Sequence, residues 1–249
     1  AKKLATGLEA LVLDVKTGSG AVMQDRDTAQ ALAQALVITA NGAGCSTSAI
    51  ITDMSQPLLP SIGNALEIAD VMRAFDSGLG PMVEVAIELG TQLLVQGHVF
   101  YTEKGARNGL MKCLSDGTAK NKFGMMVAAQ GGPKNFTERW EDYLNIAPAH
   151  EILAPTDGYV QAMDGTALGR IVVALGGGRQ RENDQIDHSV GLSEIAPLGA
   201  KLRRGQPMGL VHCHATEHAD NAMRSVQVAI SVGATKPVLK PLILERIIR

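Results

Sequence analysis

The chain has 249 residues, 45% of them hydrophobic and 3% aromatic, and a formal net charge of -2. That length and apolar content supply one large cored domain or two small ones. Balanced charge and few aromatic rings offer neither phosphate attraction nor stacking platforms, which excludes a nucleic-acid binder or a partner of anionic membranes, and no uninterrupted apolar run reaches the roughly 20 residues of a spanning helix.

The opening "AKKLATGLEA" has no initiator Met and no N-cap before Ala1. It reads as the end of a helix begun upstream, so the expectation is a piece of a longer protein. Ala10 to Asp14 then reads as a short strand, followed by the glycine turn Gly18-Ser19-Gly20. From Asp27, a fitting N-cap, Ala29, Leu32, Ala33, Leu36 and Ala40 recur at helical spacing until "NGAG" stops the helix. "TSAIIT", Thr47 to Thr52, reads as a second strand. Strand, four-turn helix and strand make a parallel crossover, so this part is α/β.

"DMSQPLLPSIGN" is a proline-punctuated loop, and helices dominate from Gly63 to Tyr143. One of them, "GNALEIADVMRAF", carries Ala65, Ile68, Ala69 and Met72 on one face. Near Ala147 the texture changes to short strands and turns. "TALGRIVVALGGG" reads as a helix ending on Gly176–Gly178, and "HADNAMRSVQVAISVGA" as another. "HSVGL", "LGAKLRRGQPMGLVHCH" and "KPVLKPLILERI" read as strands with turns. The predicted class is α/β: the end of a helical-domain helix over residues 1–8, part of a parallel-sheet α/β domain over 9–149, and a C-terminal α+β domain over 150–249. Cys45, Cys113 and Cys213 are odd in number and widely spaced, which reads as reduced thiols of a cytoplasmic protein.

Three stretches carry candidate chemistry. The loop after the first strand fails the dinucleotide fingerprint, because Met23 stands where a third glycine is needed, and it lacks the Gly-Lys-Ser/Thr of a phosphate loop. It is either a plain tight turn or a ligand-facing loop at the carboxyl end of a parallel strand. "HCHATEHAD" offers His212, Cys213, His214, His218 and Asp220 as metal donors. Alternation on a strand turns Cys213 away from the two histidines, and two imidazoles do not close a zinc site, so a surface turn competes with a metal site. "LGGGRQRENDQIDHSVG" could grip an anion through Arg179 and Arg181, or be a solvated loop after a helix. No local spacing links Ser, His, Asp or Cys into a nucleophilic set.

Several motifs in series carry a resemblance. "AKKLATGLEALVLDVKTGSGAVM", "TDMSQPLLPSIGNALE", "MVAAQGGP", "DGYVQAMDGTALGRIVVALGGGR" and "IDHSVG" resemble the thymidine phosphorylase and pyrimidine nucleoside phosphorylase family, in its order, from residue 1 to about residue 235. The resemblance implies a pentosyltransferase that cleaves thymidine or a related pyrimidine nucleoside with inorganic phosphate as co-substrate, giving free base and 2-deoxyribose 1-phosphate. It implies a homodimer, with each subunit closing a helical domain on an α/β domain around the active site, and no organic cofactor. The family's Lys-His-Ser-Thr-Gly-Gly phosphate segment and the arginine that holds the base are absent from this sequence, so no catalytic residue carries over and the chain is expected to be inactive alone.

Two substrate positions do carry over. Lys2 matches the lysine that hydrogen-bonds the pyrimidine, where an ammonium stabilises charge growing on the departing base. Val22 matches an apolar position against the base. Some bacterial relatives hold a structural monovalent cation, potassium, through two backbone carbonyls and a carboxylate. The matching positions are Leu58, Ser61 and Asp70, with Ser for a small apolar residue and Asp for Glu. A non-catalytic scaffold derived from the family is the alternative. A metal-diphosphate phosphoribosyltransferase fits less well, because Asp14 is followed by Lys16 where such enzymes pair acids.

Overall fold

A computed structural model describes residues 4–248. The described residues begin with a 3-10 turn at Leu4–Thr6, then β1 (Ala10–Thr17), α1 (Arg26–Gly42) and β2 (Ser46–Asp53). Five helices follow: α2 (Asn64–Ser77), α3 (Pro81–Gln96), α4 (Glu103–Ser115), α5 (Thr118–Ala129) and α6 (Phe136–Tyr143). Next come β3 (Ala149–Leu153), β4 (Gly158–Met163), α7 (Gly165–Val172), a π turn (Val173–Gly177), β5 (Gly191–Ser193), β6 (Lys201–Leu202) and β7 (Pro207–His212). The last elements are α8 (Thr216–Ala229), β8 (Ile230–Gly233) and β9 (Ile243–Ile247). They form two compact units that interleave along the chain: unit 1 holds residues 1–54, 74–119 and 240–249, and unit 2 holds 55–73 and 120–239.

In unit 1, β1 and β2 pair in parallel, from Ala10 with Ser46 to Thr17 with Asp53, as the crossover reading expects. The helix between them is capped two residues before the expected position. Asp25, not Asp27, is the N-cap: its carboxylate accepts from the Thr28 amide at 2.8 Å and the Thr28 hydroxyl at 2.6 Å. Asp27 instead lies in the first turn, where the helix dipole favours an acid. Ala29, Ala33, Val37 and Ala40 form the buried stripe. Their small side chains let α1 approach the sheet face that carries Val15, Ala49 and Ile51. β9 pairs antiparallel with the other edge of β2, Ala49 with Ile247 and Ile50 with Arg246, so the sheet order is β1-β2-β9 and the sheet is mixed rather than purely parallel.

Unit 2 contains two small antiparallel sheets, ordered β3-β7-β5 and β6-β4-β8. One core joins them, with Ile152, Val160, Leu168, Leu192, Val211 and Val226 all fully buried. Asp164 caps α7 through the Ala167 amide at 2.9 Å. The helix expected to run to Gly178 gives up regular α geometry after Val172, and the run ends where Gly176 takes φ +101°. The second expected helix stops at Ala229. Ile230 to Gly233 is β8, because these residues pair with β4. On α2, Leu66 is buried, while Ile68, expected on the face of Ala65, Ala69 and Met72, is half-buried. Among the described residues no single helix is long and apolar enough to cross a membrane.

Candidate functional site

Candidate residues fall in both units. In unit 1 the carboxyl ends of β1 and β2 lie side by side, the place where parallel sheets present ligand-binding loops. The glycine loop leaves β1 and folds back on itself. Gly18, at φ +120°, accepts from the Ala21 amide at 3.0 Å, the Gly20 amide donates to Met54 O at 3.0 Å, and the Met54 amide donates to Thr17 O. Thr17 also bridges to Met23. Gly20 has a packing reason to be glycine, since a Cβ there would meet Met54 at 3.2 Å. This closed turn raises Val22 to 93% exposure, as a protruding apolar contact. Lys2, the other expected base contact, lies outside the described residues.

Beside this loop, on one face of the sheet, stand Asp14, Lys16 and Thr52. Lys16 and Thr52 are register partners. The Lys16 ammonium is 2.6 Å from Asp14 Oδ2 and donates to Thr52 Oγ1 at 2.9 Å, while the Thr52 hydroxyl donates to Asp14 Oδ1 at 2.6 Å. Strand alternation brings Asp14 and Lys16 to the same face, a consequence of their spacing of two.

In unit 2, Leu58 is half-buried in the loop before α2, and Ser61 and Asp70 are buried. Asp70 Oδ1 accepts from Arg73 Nη1 at 2.9 Å, and Arg73 also lies over the Trp140 ring. Asp70 Oδ2 is buried with no hydrogen-bond partner among the described residues. A buried carboxylate oxygen left without a donor is costly, and a cation is one group that satisfies it. That orphan oxygen fits the expected monovalent cation, which would take it together with the Leu58 and Ser61 carbonyls.

The histidine cluster separates into two local networks. His212 is buried on β7, with Nδ1 3.0 Å from Ala147 O and Nε2 2.7 Å from Ser193 Oγ. A carbonyl only accepts, so Nδ1 carries the proton and Nε2 accepts the serine hydroxyl. Cys213 is buried, and burial pushes its thiol up from the ordinary cysteine value. His214 Nε2 lies 3.1 Å from Ser189 Oγ and 3.5 Å from Asp187 Oδ2. Among the described residues no three His, Cys, Asp or Glu side chains gather to hold a metal. In the arginine loop Asp184 Oδ2 accepts from the Gln180 and Arg181 amides at 3.0 and 2.8 Å, so the loop's own acid shapes its backbone, while Arg179 and Arg181 are exposed. The Asp187 amide, donating to Gly176 O at 2.9 Å, closes the loop's base.

Asp187 carries a pH signature. The Ser189 hydroxyl, donating at 2.6 Å, is the main cause holding its carboxyl below the ordinary range, with further help from the Ser189 amide and nearby His214. A lowered folded value means stability that is complete above the ordinary aspartate value of about 3.9 and is lost as pH falls through the folded value. Asp187→Asn should therefore flatten the acid limb of a stability-against-pH curve below about pH 4 and lower the neutral plateau. Urea midpoints of the two proteins from pH 2 to 7, followed by circular dichroism, read this out; parallel acid limbs would show that Asp187 contributes nothing.

The segment from β4 to β8 is a closed α+β module, because its first and last strands pair with each other, Tyr159 with Gly233 and Met163 with Ile230, around a shared core. Its residues 159–233 match the family model of the pyrimidine nucleoside phosphorylase C-terminal domain. The resemblance read from the sequence motifs is thus borne out for this segment, as a C-terminal domain of the pyrimidine nucleoside phosphorylase type.

Proposed function

We propose that this chain is part of a thymidine phosphorylase, a pentosyltransferase that exchanges the base of a pyrimidine deoxynucleoside for inorganic phosphate. The family match at residues 159–233 carries the reading, and the sequence motifs before it extend the likeness to the α/β portion. In this reading Lys2 donates to a pyrimidine carbonyl and stabilises charge on the departing base. Val22, raised by the loop after β1, offers an apolar surface to the ring. Phosphate attacks the anomeric carbon as the carbon–nitrogen bond breaks, and the base leaves with its electron pair and takes up a proton. Asp70 with the Leu58 and Ser61 carbonyls holds a structural potassium ion, for which the orphan Asp70 oxygen speaks. The working molecule is a homodimer.

The test is thymine release from thymidine by the intact polypeptide containing this chain, with and without phosphate. Release strictly dependent on phosphate, with uridine a poorer substrate, supports the reading. Release that ignores phosphate, or none at all, removes it. Lys2→Ala should lower kcat/KM by about a hundredfold, the scale of losing one charge-stabilising donor.

A further inference from the structure

We propose that Asp14, Lys16 and Thr52 form a hydroxyl-recognition group that binds the pentose of the substrate, an inference that rests on the phosphorylase reading above. Three observations converge on it. The trio sits at the carboxyl ends of two parallel strands, next to the loop that raises Val22. Its members fix one another in a closed ring: lysine to aspartate at 2.6 Å, lysine to threonine at 2.9 Å and threonine to aspartate at 2.6 Å. Thr52 is fully buried, while the side chains of Lys16 and Asp14 remain 28% and 22% exposed. The ring is therefore anchored from below and open above.

The chemistry selects the ligand. An ammonium has three N–H donors, and the ring engages two of them among the described residues. Each carboxylate oxygen accepts one bond in the ring and has a further lone pair. What the trio presents is one charged donor beside one charged acceptor, with no net charge. A free anion gains little from such a neutral pair, since the aspartate opposes it at nearly the same distance. An alcohol both donates and accepts, so a sugar hydroxyl satisfies both groups at once. Hydrogen bonds to charged partners are also the stronger kind. Thr52 sets the direction: its proton goes to Asp14, which leaves its oxygen to accept from Lys16 and keeps the ammonium over the sheet.

Saturation-transfer NMR on the 249-residue chain tests this with three probes: thymidine, 2-deoxyribose 1-phosphate and free thymine. The sugar protons of the first two should be the most strongly saturated. Lys16→Met should weaken both sugar-bearing probes about ten- to a hundredfold, the size of one hydrogen bond to a charged group, and leave thymine unchanged. Lys16→Arg should restore part of the loss. Saturation by only one sugar-bearing probe identifies whether nucleoside or sugar phosphate is the form recognised. Asp14→Asn with Lys16→Met removes both charges together and guards against misfolding from an unpaired aspartate; an unchanged amide spectrum with lost sugar saturation supports the proposal.

Sugar saturation indifferent to these changes overturns the proposal, as does its absence from the parent chain. Failure of the parent reading looks different: no phosphorolysis by the intact polypeptide, yet sugar saturation that still depends on Lys16. Normal phosphorolysis with a thymidine KM untouched by Lys16→Met rejects the pentose group alone.

Discussion

Replacing Arg246 with alanine should cost unit 1 about 3 kcal/mol, and replacing Glu88 with glutamine or leucine in the same molecule should recover much of it. Glu88 faces the interior from α3, its side chain only 7% exposed. Its Oε1 lies 2.5 Å from Arg246 Nη2 on β9, and its Oε2 3.9 Å from Arg107 on α4. The close contact is an ion pair rather than an aligned hydrogen bond, because Oε1 has no hydrogen-bond partner among the described residues. Arg246 also donates to Glu103 at 3.1 Å. Without Arg246, the Arg107 guanidinium at 3.9 Å is the one ion partner left to the buried carboxylate among the described residues, and an uncompensated buried charge is far costlier than the pair is worth. Urea unfolding of the single and double variants measures this directly. Equal losses in Arg246→Ala and the double variant would show that burial of Glu88 is not the source of the effect.

The second large effect belongs to unit 2. Gly191→Ala should destabilise it by about 3 kcal/mol, through overpacking and backbone strain together. Gly191 has φ +156°, at the edge of the region that side chains avoid. An added Cβ would run into the Ile62 carbonyl, with Leu66 Cδ1 at 2.9 Å and Gly63 Cα at 3.1 Å. Backbone there has little freedom to retreat, because Ile62 and Leu192 exchange two hydrogen bonds at 2.9 and 2.8 Å. Gly209→Ala is the informative comparison. Its Cβ would meet Ile195 Cδ1 at 2.7 Å, the movable end of a side chain, so the loss should be smaller. Thermal melts rank the two, and a Gly209 variant as unstable as the Gly191 variant would contradict the argument.

The parallel crossover was legible because β1, α1 and β2 each carry a strong local pattern, and turn glycines and prolines separate the helices that follow. The cap of α1 was misplaced because Asp25 and Asp27 both suit a cap, and only the Thr28 partner decides between them. β8 was hidden inside a helical run, since "AISV" is equally apolar in either state and its pairing with β4 is a tertiary fact. The histidine motif looked like one cluster in sequence, yet β7 ends at His212, and the buried His212 and the exposed His214 beyond it each hold their own serine. The family motifs singled out Val22, Leu58, Ser61 and Asp70 as candidates. They gave no sign that Asp70 would be buried with an orphan oxygen, which depends on how α2 packs. The Asp14–Lys16 spacing was visible from the start, but closure of the ring by Thr52 required the strand register.

The pairing of β2 with β9 sets a clock on synthesis. Their partners lie about 200 residues apart, so β2 leaves the ribosome on the order of 10–40 s before the strand that covers its second edge exists. During that interval one side of an eight-residue, mostly buried strand stands open to pairing with other chains. The residues of unit 2 are all made before β9. The order of events during translation is thus nested: the inner unit can finish first, and the outer sheet closes last, around a strand that has had to wait.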